Sequence, residues 1–550
     1  MGKKRTLFLC FLILCQLSFG QTKKYPTNYF SFPIKRDIAL SGNFAEFRSN
    51  HFHSGVDLRI GERIGEGIYA PQEGEVVRIK IQAWGGGKNL YIRHPNGYTT
   101  VYMHIDRFAP KIEAFVRKYQ YRNKTYEFDL TLNDKLFVEK GELIAFAGNT
   151  GSSGGPHLHY EIRNSITEKT INPMHFGFYV EDKIKPNIVS IVVSPDNKEV
   201  KKQFDTIEVS NKITLGIIAY DRSKNSTAKN GVYSYELYID NITFWRMKID
   251  EFSFSFTRYA NACLDAYQYN KTGKKYITCQ QLPNNKFSPF ETYLNNGVIE
   301  IDSSEVKKVE YVLKDFNNNT TNFVFYIKGN GKRIMEVPKT KGKMLYWNKD
   351  NVIKEKDIEV FVPKGALYED SPVYFSSFNK DGKTFYDIRG TKIPLHNNMT
   401  IKISVPQNIK QKNKLVITKN EGKKASSIGG KIEYEDIVAK TKNFGLFSLS
   451  LDTIAPKINV ISNKEENSSI KLNIKQEKIK IKITDNLSGI SSYNAYINSN
   501  WVLMEYDGKT STLSYNVDTK ELFQKENELK LVVLDEVRNK SELNIKVIMP

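Results

Sequence analysis

Five of the eight histidines in this 550-residue chain fall in three short strings: Asn50-His51-Phe52-His53-Ser54-Gly55-Val56-Asp57, Val101-Tyr102-Met103-His104 and Gly155-Pro156-His157-Leu158-His159-Tyr160. His94, His175 and His396 are the remainder. Imidazole is the commonest protein ligand of zinc and a frequent general base near neutral pH. The concentration therefore points first to metal-dependent hydrolysis.

His157-Leu158-His159 places two imidazoles at i and i+2. On a strand those positions share a face, so both rings can enter one site while Leu158 turns to the core. The run Gly148 to Pro156 before it reads as a turn-rich loop that delivers the strand to the site edge. His53-Ser54-Gly55-Val56-Asp57 adds one nitrogen and one oxygen donor. With one nitrogen from the His157/His159 pair, this makes a His-Asp-His set with a fourth position open, the pattern of catalytic zinc. His104 is unremarkable alone and gains its meaning from the other two strings. His51 reads as a groove-wall residue, and His94, ahead of Pro95-Asn96-Gly97, as part of a hairpin turn. Asn43 lies upstream with no context that marks it as a metal cap. No His-Glu-x-x-His helix is present, which excludes the thermolysin arrangement.

The elements that must position these groups are strands. Alternation of apolar and polar residues recurs at Glu75 to Ile79, Asn89 to Arg93 and Lys478 to Ile483, between turns rich in Gly, Asn and Asp. Aromatic residues make up 12% of the chain, which also favours strands. The best helix pattern covers Ile112, Phe115, Val116 and Tyr119. A chain of this length exceeds one core and implies several domains.

The C-terminal two-thirds contains an internal repeat. One copy opens with Asp182, Pro186 and Ile188, continues with Gly231-Val232-Tyr233-Ser234-Tyr235, and closes on Asp315 and Asn319. The other has Asp452, Pro456 and Ile458, then Gly489-Ile490-Ser491-Ser492-Tyr493, then Asp535 and Asn539. The first copy is longer between its second and third blocks, and that extra stretch holds Cys263 and Cys279. A disulfide pinning it is the expectation for an exported chain.

The histidine strings also occur in an ordered context. After Asn50 to Leu58 come Gly67-Ile68-Tyr69-Ala70, Gly74-Glu75-Val76-Val77, His94 through His104, Val138-Glu139-Lys140-Gly141-Glu142-Leu143-Ile144, and Gly148 through Arg163. Together, over about residues 28–178, these resemble the lysostaphin/LytM-type zinc endopeptidases that cut peptidoglycan cross-links. The resemblance implies Zn2+ held by His53, Asp57 and His159, with His104 and His157 acting in catalysis. None of the five is substituted, which implies an active enzyme rather than a relative that only binds. A neutral imidazole can take a proton from water while another group stabilises the oxyanion. His157 is read as the general base and His104 as the oxyanion stabiliser. Residues 109–134 exceed the usual link and are read as a groove wall, a lid or a surface insertion.

The expected fold is mainly β, an antiparallel peptidase domain followed by β-sandwich domains. The expected division is 1–20 signal peptide, 21–180 zinc metallopeptidase domain with the insertion 109–134, 181–330 Ig-like sandwich, 331–450 β-rich domain and 451–550 Ig-like sandwich. Lys3, Lys4 and Arg5 precede an apolar run from Thr6 to Cys15, and Ser18 and Gly20 stand at −3 and −1 of a cut before Gln21. The mature chain is thus expected to be exported, to the periplasm or the cell surface, with no later membrane span. The net charge of +20 is scattered and forms no continuous basic block, and no nucleic-acid motif appears. The expected partner is the peptide stem of peptidoglycan, with protein partners on the sandwiches. The alternatives are a non-catalytic wall-binding or amidase-activating scaffold, or a zinc peptidase acting on secreted proteins.

Overall fold

The computed structural model describes residues 25–548, apart from 179, 181, 225, 288–289, 334–341, 463, 466–468, 473–477 and 518–523. The expected signal peptide, 1–20, lies outside the described residues. The chain is mainly β, with two α-helices among the described residues, Pro110–Asn123 and Ala266–Thr272. Period-two sequence becomes strand with the anticipated facing: along Lys478–Thr484, exposed Lys alternates with buried Ile.

The N-terminal sheet is antiparallel. Its main path runs Leu40–Gly42, Val56–Arg59, His157–Asn164, Tyr98–Phe108, Lys88–Arg93, Gly74–Ile81, Phe128–Val138. Its buried face carries Ile79, Leu90, Ile92, Tyr102, Leu158 and Tyr160, all essentially without solvent access. The helix Pro110–Asn123 belongs to the stretch 109–134. Pro110 sits in its first turn, Ile112 and Val116 face the core, and Lys124 ends it in the left-handed region.

Two-sheet sandwiches follow. In the first, a six-stranded sheet containing Ser234–Ile239 and Val306–Lys314 shares a core with a five-stranded sheet containing Asn187–Ser194 and Lys212–Tyr220. In the last, a six-stranded sheet containing Ile490–Ile497 and Glu526–Asp535 shares a core with Lys457–Val460 and Lys478–Thr484. The repeat extends to topology, because Thr206–Val209 and Ser469–Lys471 each pair in parallel with the final strand of their copy. Between these lies a third core, built on strands such as Ile358–Val362 and Met399–Ser404.

The cores are joined laterally. Thr170–Ile171 of the N-terminal sheet pairs with Glu251–Phe252 of the first sandwich. Phe44, Phe52, Phe252, Tyr259, Tyr368 and Ile393 form a further apolar cluster between units.

The expected disulfide is not formed. Cys263 and Cys279 are both free and buried. Cys263 packs in the inter-unit cluster against the Tyr259 carbonyl, whereas Cys279 sits in the sandwich core against the Gly297 carbonyl. Their side chains serve two different cores, so sequence proximity does not bring the sulfurs together.

Candidate active site

The register of the sheet builds the site. His157–Asn164 pairs with Val56–Arg59 so that His159 stands directly opposite Asp57. On its other side His159 is opposite Met103, which brings His104 to the same edge. Cross-strand neighbours have Cβ atoms about 5 Å apart, close enough for side chains to share one ion. Gly55 lets the chain between His53 and Asp57 pass over the neighbouring strand, since a Cβ there would lie 2.2 Å from the Tyr160 carbonyl oxygen.

His53 Nε2, Asp57 Oδ1 and His159 Nδ1 converge, 2.9 to 3.0 Å from one another. All three residues are buried. The outward nitrogen of each histidine is engaged. His53 Nδ1 donates to the Asn43 carbonyl at 2.7 Å, and His159 Nε2 donates to Glu161 Oε1 at 2.9 Å. With those outward nitrogens committed as donors, His53 Nε2 and His159 Nδ1 are the atoms left to ligate an ion at the convergence point, His159 giving up its Nδ1 proton as the ion enters. Two imidazole nitrogens and one carboxylate oxygen, each backed by a further hydrogen bond, fit zinc.

The charges around these donors favour a cation. Burial alone would raise the Asp57 carboxyl, but His53, the nearby His157 and the contact with His159 hold it well below its usual range. Arg48 also reaches Asp57 Oδ2, at 2.5 Å. Burial pushes His53 down to about 4. At His159 burial acts downward too, but the bonds to Asp57 and Glu161 prevail and raise it to about 9. Glu161 stays ionised, because Arg163 and His159 overcome its burial and bring it down to about 2.

His104 and His157 stand beside this cluster with ring centroids 4.7 Å apart. His104 Nδ1 donates to the Thr150 carbonyl at 2.8 Å. Its backbone has φ +63°, an uncommon conformation for a non-glycine residue. Gly151 makes this support possible, since a Cβ there would lie 2.3 Å from the Gly87 nitrogen, and Gly86 in the same loop accepts the His104 amide. His157 Nδ1 is 2.9 Å from the Gly155 carbonyl. His157 Nε2 is buried, 3.4 Å from Asp57 Oδ1, and makes no hydrogen bond among the described residues. Burial, then the charges of His157 and His159, push His104 down to about 3.

All five residues singled out from the sequence thus meet at one sheet edge. His51 is exposed, with its Nδ1 against the Ser49 carbonyl. His94 is buried between the Glu73 carbonyl and Thr100 Oγ1. Asn43 does not present its side chain to the site. Its amide pairs with the backbone of Gly231 in the first sandwich, and its carbonyl orients His53. Glu161 and Arg163 were missed by the sequence reading. Both continue the i, i+2 face begun by His157 and His159, so the same periodicity could have found them.

The C-terminal sandwich reaches the loop that supports this edge. Lys509 donates to the carbonyls of Asn149 and Ser153. Buried Lys88 pairs with Glu505 at 3.0 Å.

Fold and site together define a β-sheet metallopeptidase domain. Residues 51–121 and 124–173 match the model of Peptidase family M23, and residues 342–452 match a Zu5-like domain. The match to peptidase family M23 is thus confined to the segment 51–173, which holds all five of the histidine and aspartate residues of the site. The chain is 32% identical over 149 residues to an uncharacterized metalloprotease of Haemophilus influenzae, covering 26% of each chain. It is 34% identical over 122 residues to the DD-carboxypeptidase/endopeptidase Mpg of Neisseria meningitidis, covering 22% of each. It is 31% identical over 110 residues to the peptidoglycan DD-endopeptidase ShyB of Vibrio cholerae, covering 20% of each. The chain thus spans about a quarter or less of the length of these relatives. Among solved structures, the catalytic domain of lysostaphin from Staphylococcus simulans matches at 21% identity and a TM-score of 0.20, over 26% of this chain and 93% of that one. No helix of the described residues is long and apolar enough to cross a membrane.

Proposed function

We propose that the chain is an exported zinc metallo-endopeptidase that hydrolyses the peptide cross-links of peptidoglycan. The observation that carries this reading is the convergence of three ligand-type atoms beside two imidazoles that are not part of the set. His53, Asp57 and His159 would hold the ion. Bound there, zinc supplies Lewis-acid polarisation of a peptide carbonyl and of water at neutral pH. His157 commits its Nδ1 proton to the Gly155 carbonyl and keeps Nε2 bare, which suits a general base. His104 commits its Nδ1 proton to Thr150, so its Nε2 enters as a proton acceptor too and can serve an oxyanion only after protonation. Glu161, tied to Arg163 and Ser54, fixes the ring of His159.

The substrate class rests on the names of the relatives that match this segment, two of which are peptidoglycan or DD-endopeptidases. The basic, apolar N-terminal run supports export. The sandwiches, which we read as immunoglobulin-like, would position the peptidase or bind protein partners, and the domain limits are taken near residues 180, 330 and 450.

The test is digestion of purified sacculi by the mature chain before chelation, after chelation and after zinc is restored. Solubilisation lost on chelation and recovered with zinc is the expected result. Binding to sacculi without solubilisation, by a zinc-loaded protein, would favour the scaffold alternative.

A further inference from the structure

The internal repeat carries something the peptidase does not use. In the first sandwich Asp182, Asp221 and Asp315 place one carboxylate oxygen each within 4.8 Å of one another, and all three are buried. In the last sandwich Asp452, Asp485 and Asp535 converge equally closely, with Asp452 and Asp535 buried and Asp485 half-buried. The positions correspond. Asp182 and Asp452 open the repeat in the linker, Asp221 and Asp485 follow the strands Lys212–Tyr220 and Lys478–Thr484 directly, and Asp315 and Asp535 close the strands beginning at Val306 and Glu526. Asn319 and Asn539 brace them alike, each donating its side-chain amide to the linker Asp carbonyl and to the closing carboxylate.

Three clustered carboxylates are not by themselves a site. Here further buried oxygens without partners face the same space. The first triad lines a cavity of about 50 Å³ together with Ser223 and Asn230. Asn230 is only 3% exposed, and its Oδ1 has no hydrogen-bond partner among the described residues. Ser223 Oγ and Asp221 Oδ1 are buried and unpartnered in the same cavity. Backbone pairing of Asp221 with Asn230 holds the two side chains adjacent. In the second copy Asp485 Oδ1, and the Oγ of Ser488, which stands before Gly489 as Asn230 stands before Gly231, are again buried atoms without partners among the described residues. An unpaired buried oxygen costs roughly 1–3 kcal/mol, so several at each of two corresponding places require an explanation. Among the described residues no Lys or Arg forms an ion pair with any of the six aspartates.

We propose that each repeat binds one calcium ion, held by Asp182, Asp221 and Asp315 in the first and by Asp452, Asp485 and Asp535 in the second. The donors are carboxylate, amide and hydroxyl oxygens with no imidazole or thiol, which selects a hard cation over zinc. The larger, irregular donor set suits calcium better than magnesium, which demands a compact octahedron and keeps its waters. Both sites sit where a sandwich joins the unit before it. The first cavity is also lined by Asn43, whose carbonyl orients His53, and by Asn172 of the peptidase domain. At the second, the Asp452 amide bonds to the Lys414 carbonyl of the preceding unit. The ions therefore fasten consecutive domains at their junctions.

The test is metal analysis of the full-length mature chain by inductively coupled plasma mass spectrometry after equilibration in millimolar calcium and removal of free ion, with zinc counted separately. The wild type should retain two calcium ions, Asp221→Asn and Asp485→Asn one each, and the paired variant none. Calcium titration should also raise the Tm of the wild type, and magnesium at the same concentration should not reproduce the rise. Fewer than two ions on the wild type, or two ions surviving the paired substitution, overturns the proposal. The wild-type count stands even if a variant fails to fold.

Discussion

Glu161→Gln tests how far the metal site depends on the residue behind it. Glu161 is fully buried and holds four donors: Oε1 accepts from His159 Nε2 at 2.9 Å and Ser54 Oγ at 2.5 Å, and Oε2 from Arg163 Nε at 2.6 Å and its terminal nitrogen at 2.5 Å. A glutamine has one oxygen for these two sides. Turned toward His159, it directs its NH2 at the Arg163 guanidinium; turned toward Arg163, it directs the NH2 at His159 and favours the wrong tautomer. Either way the Nδ1 lone pair of His159 is less well presented. Losing such an outer partner lowers metal affinity about 10- to 100-fold, or about 1.4–2.7 kcal/mol. The assay is competition for zinc against a chromophoric chelator, beside a Tm measurement of the metal-free protein that separates misfolding from weakened ligation. A zinc affinity within twofold of wild type, in a protein whose metal-free Tm shows it folded, would refute the assigned role of Glu161 and weaken that of His159 as a ligand.

Two further predictions concern other contacts. His104→Ala and His157→Ala should keep one zinc per chain while lowering the rate on sacculi by about 10²- to 10⁴-fold; loss of zinc from either would move that histidine into the ligand set. The Lys88–Glu505 pair should make the seam between the peptidase domain and the C-terminal sandwich sensitive to acid. Burial would raise Glu505, but Lys88 prevails and holds it low, so its contribution is present above the unfolded carboxylate value and is lost as pH falls through the lower folded one. Glu505→Gln should therefore cost up to about 3 kcal/mol near neutral pH and flatten the acid limb of the Tm profile, with Lys88 still held by the Asp106 carbonyl. An unchanged acid limb would show that the pair is not a stabilising contact.

Much of the site is legible in the sequence because its parts are local. The i, i+2 spacing of His157 and His159 fixes a shared face, and the four-residue step from His53 to Asp57 fits one short turn into a strand. That Asp57 stands opposite His159 is a matter of register, which only the paired strands display. The fold class is legible for a related reason, since alternation such as that of Lys478–Thr484 survives directly as an exposed and a buried face. What escaped is tertiary. Nothing near Asn43 announces that its amide clasps Gly231 nearly two hundred residues away. The separation of Cys263 and Cys279 into different cores has no local signature either. The three aspartates of each repeat were visible as matching blocks, but only the folded sandwich brings them to one point.

The proposed cleavage of peptide cross-links by a metal held by His53, Asp57 and His159 has a direct chemical signature. Mass analysis of muropeptides released from purified sacculi by the zinc-loaded mature chain, beside His159→Ala, tests it most directly. Cross-linked dimers should be converted to monomers with the gain of one water at a peptide bond, and neither His159→Ala nor the chelated protein should do this. Dimers left intact by a zinc-loaded protein, or cleavage that persists in His159→Ala, would contradict it.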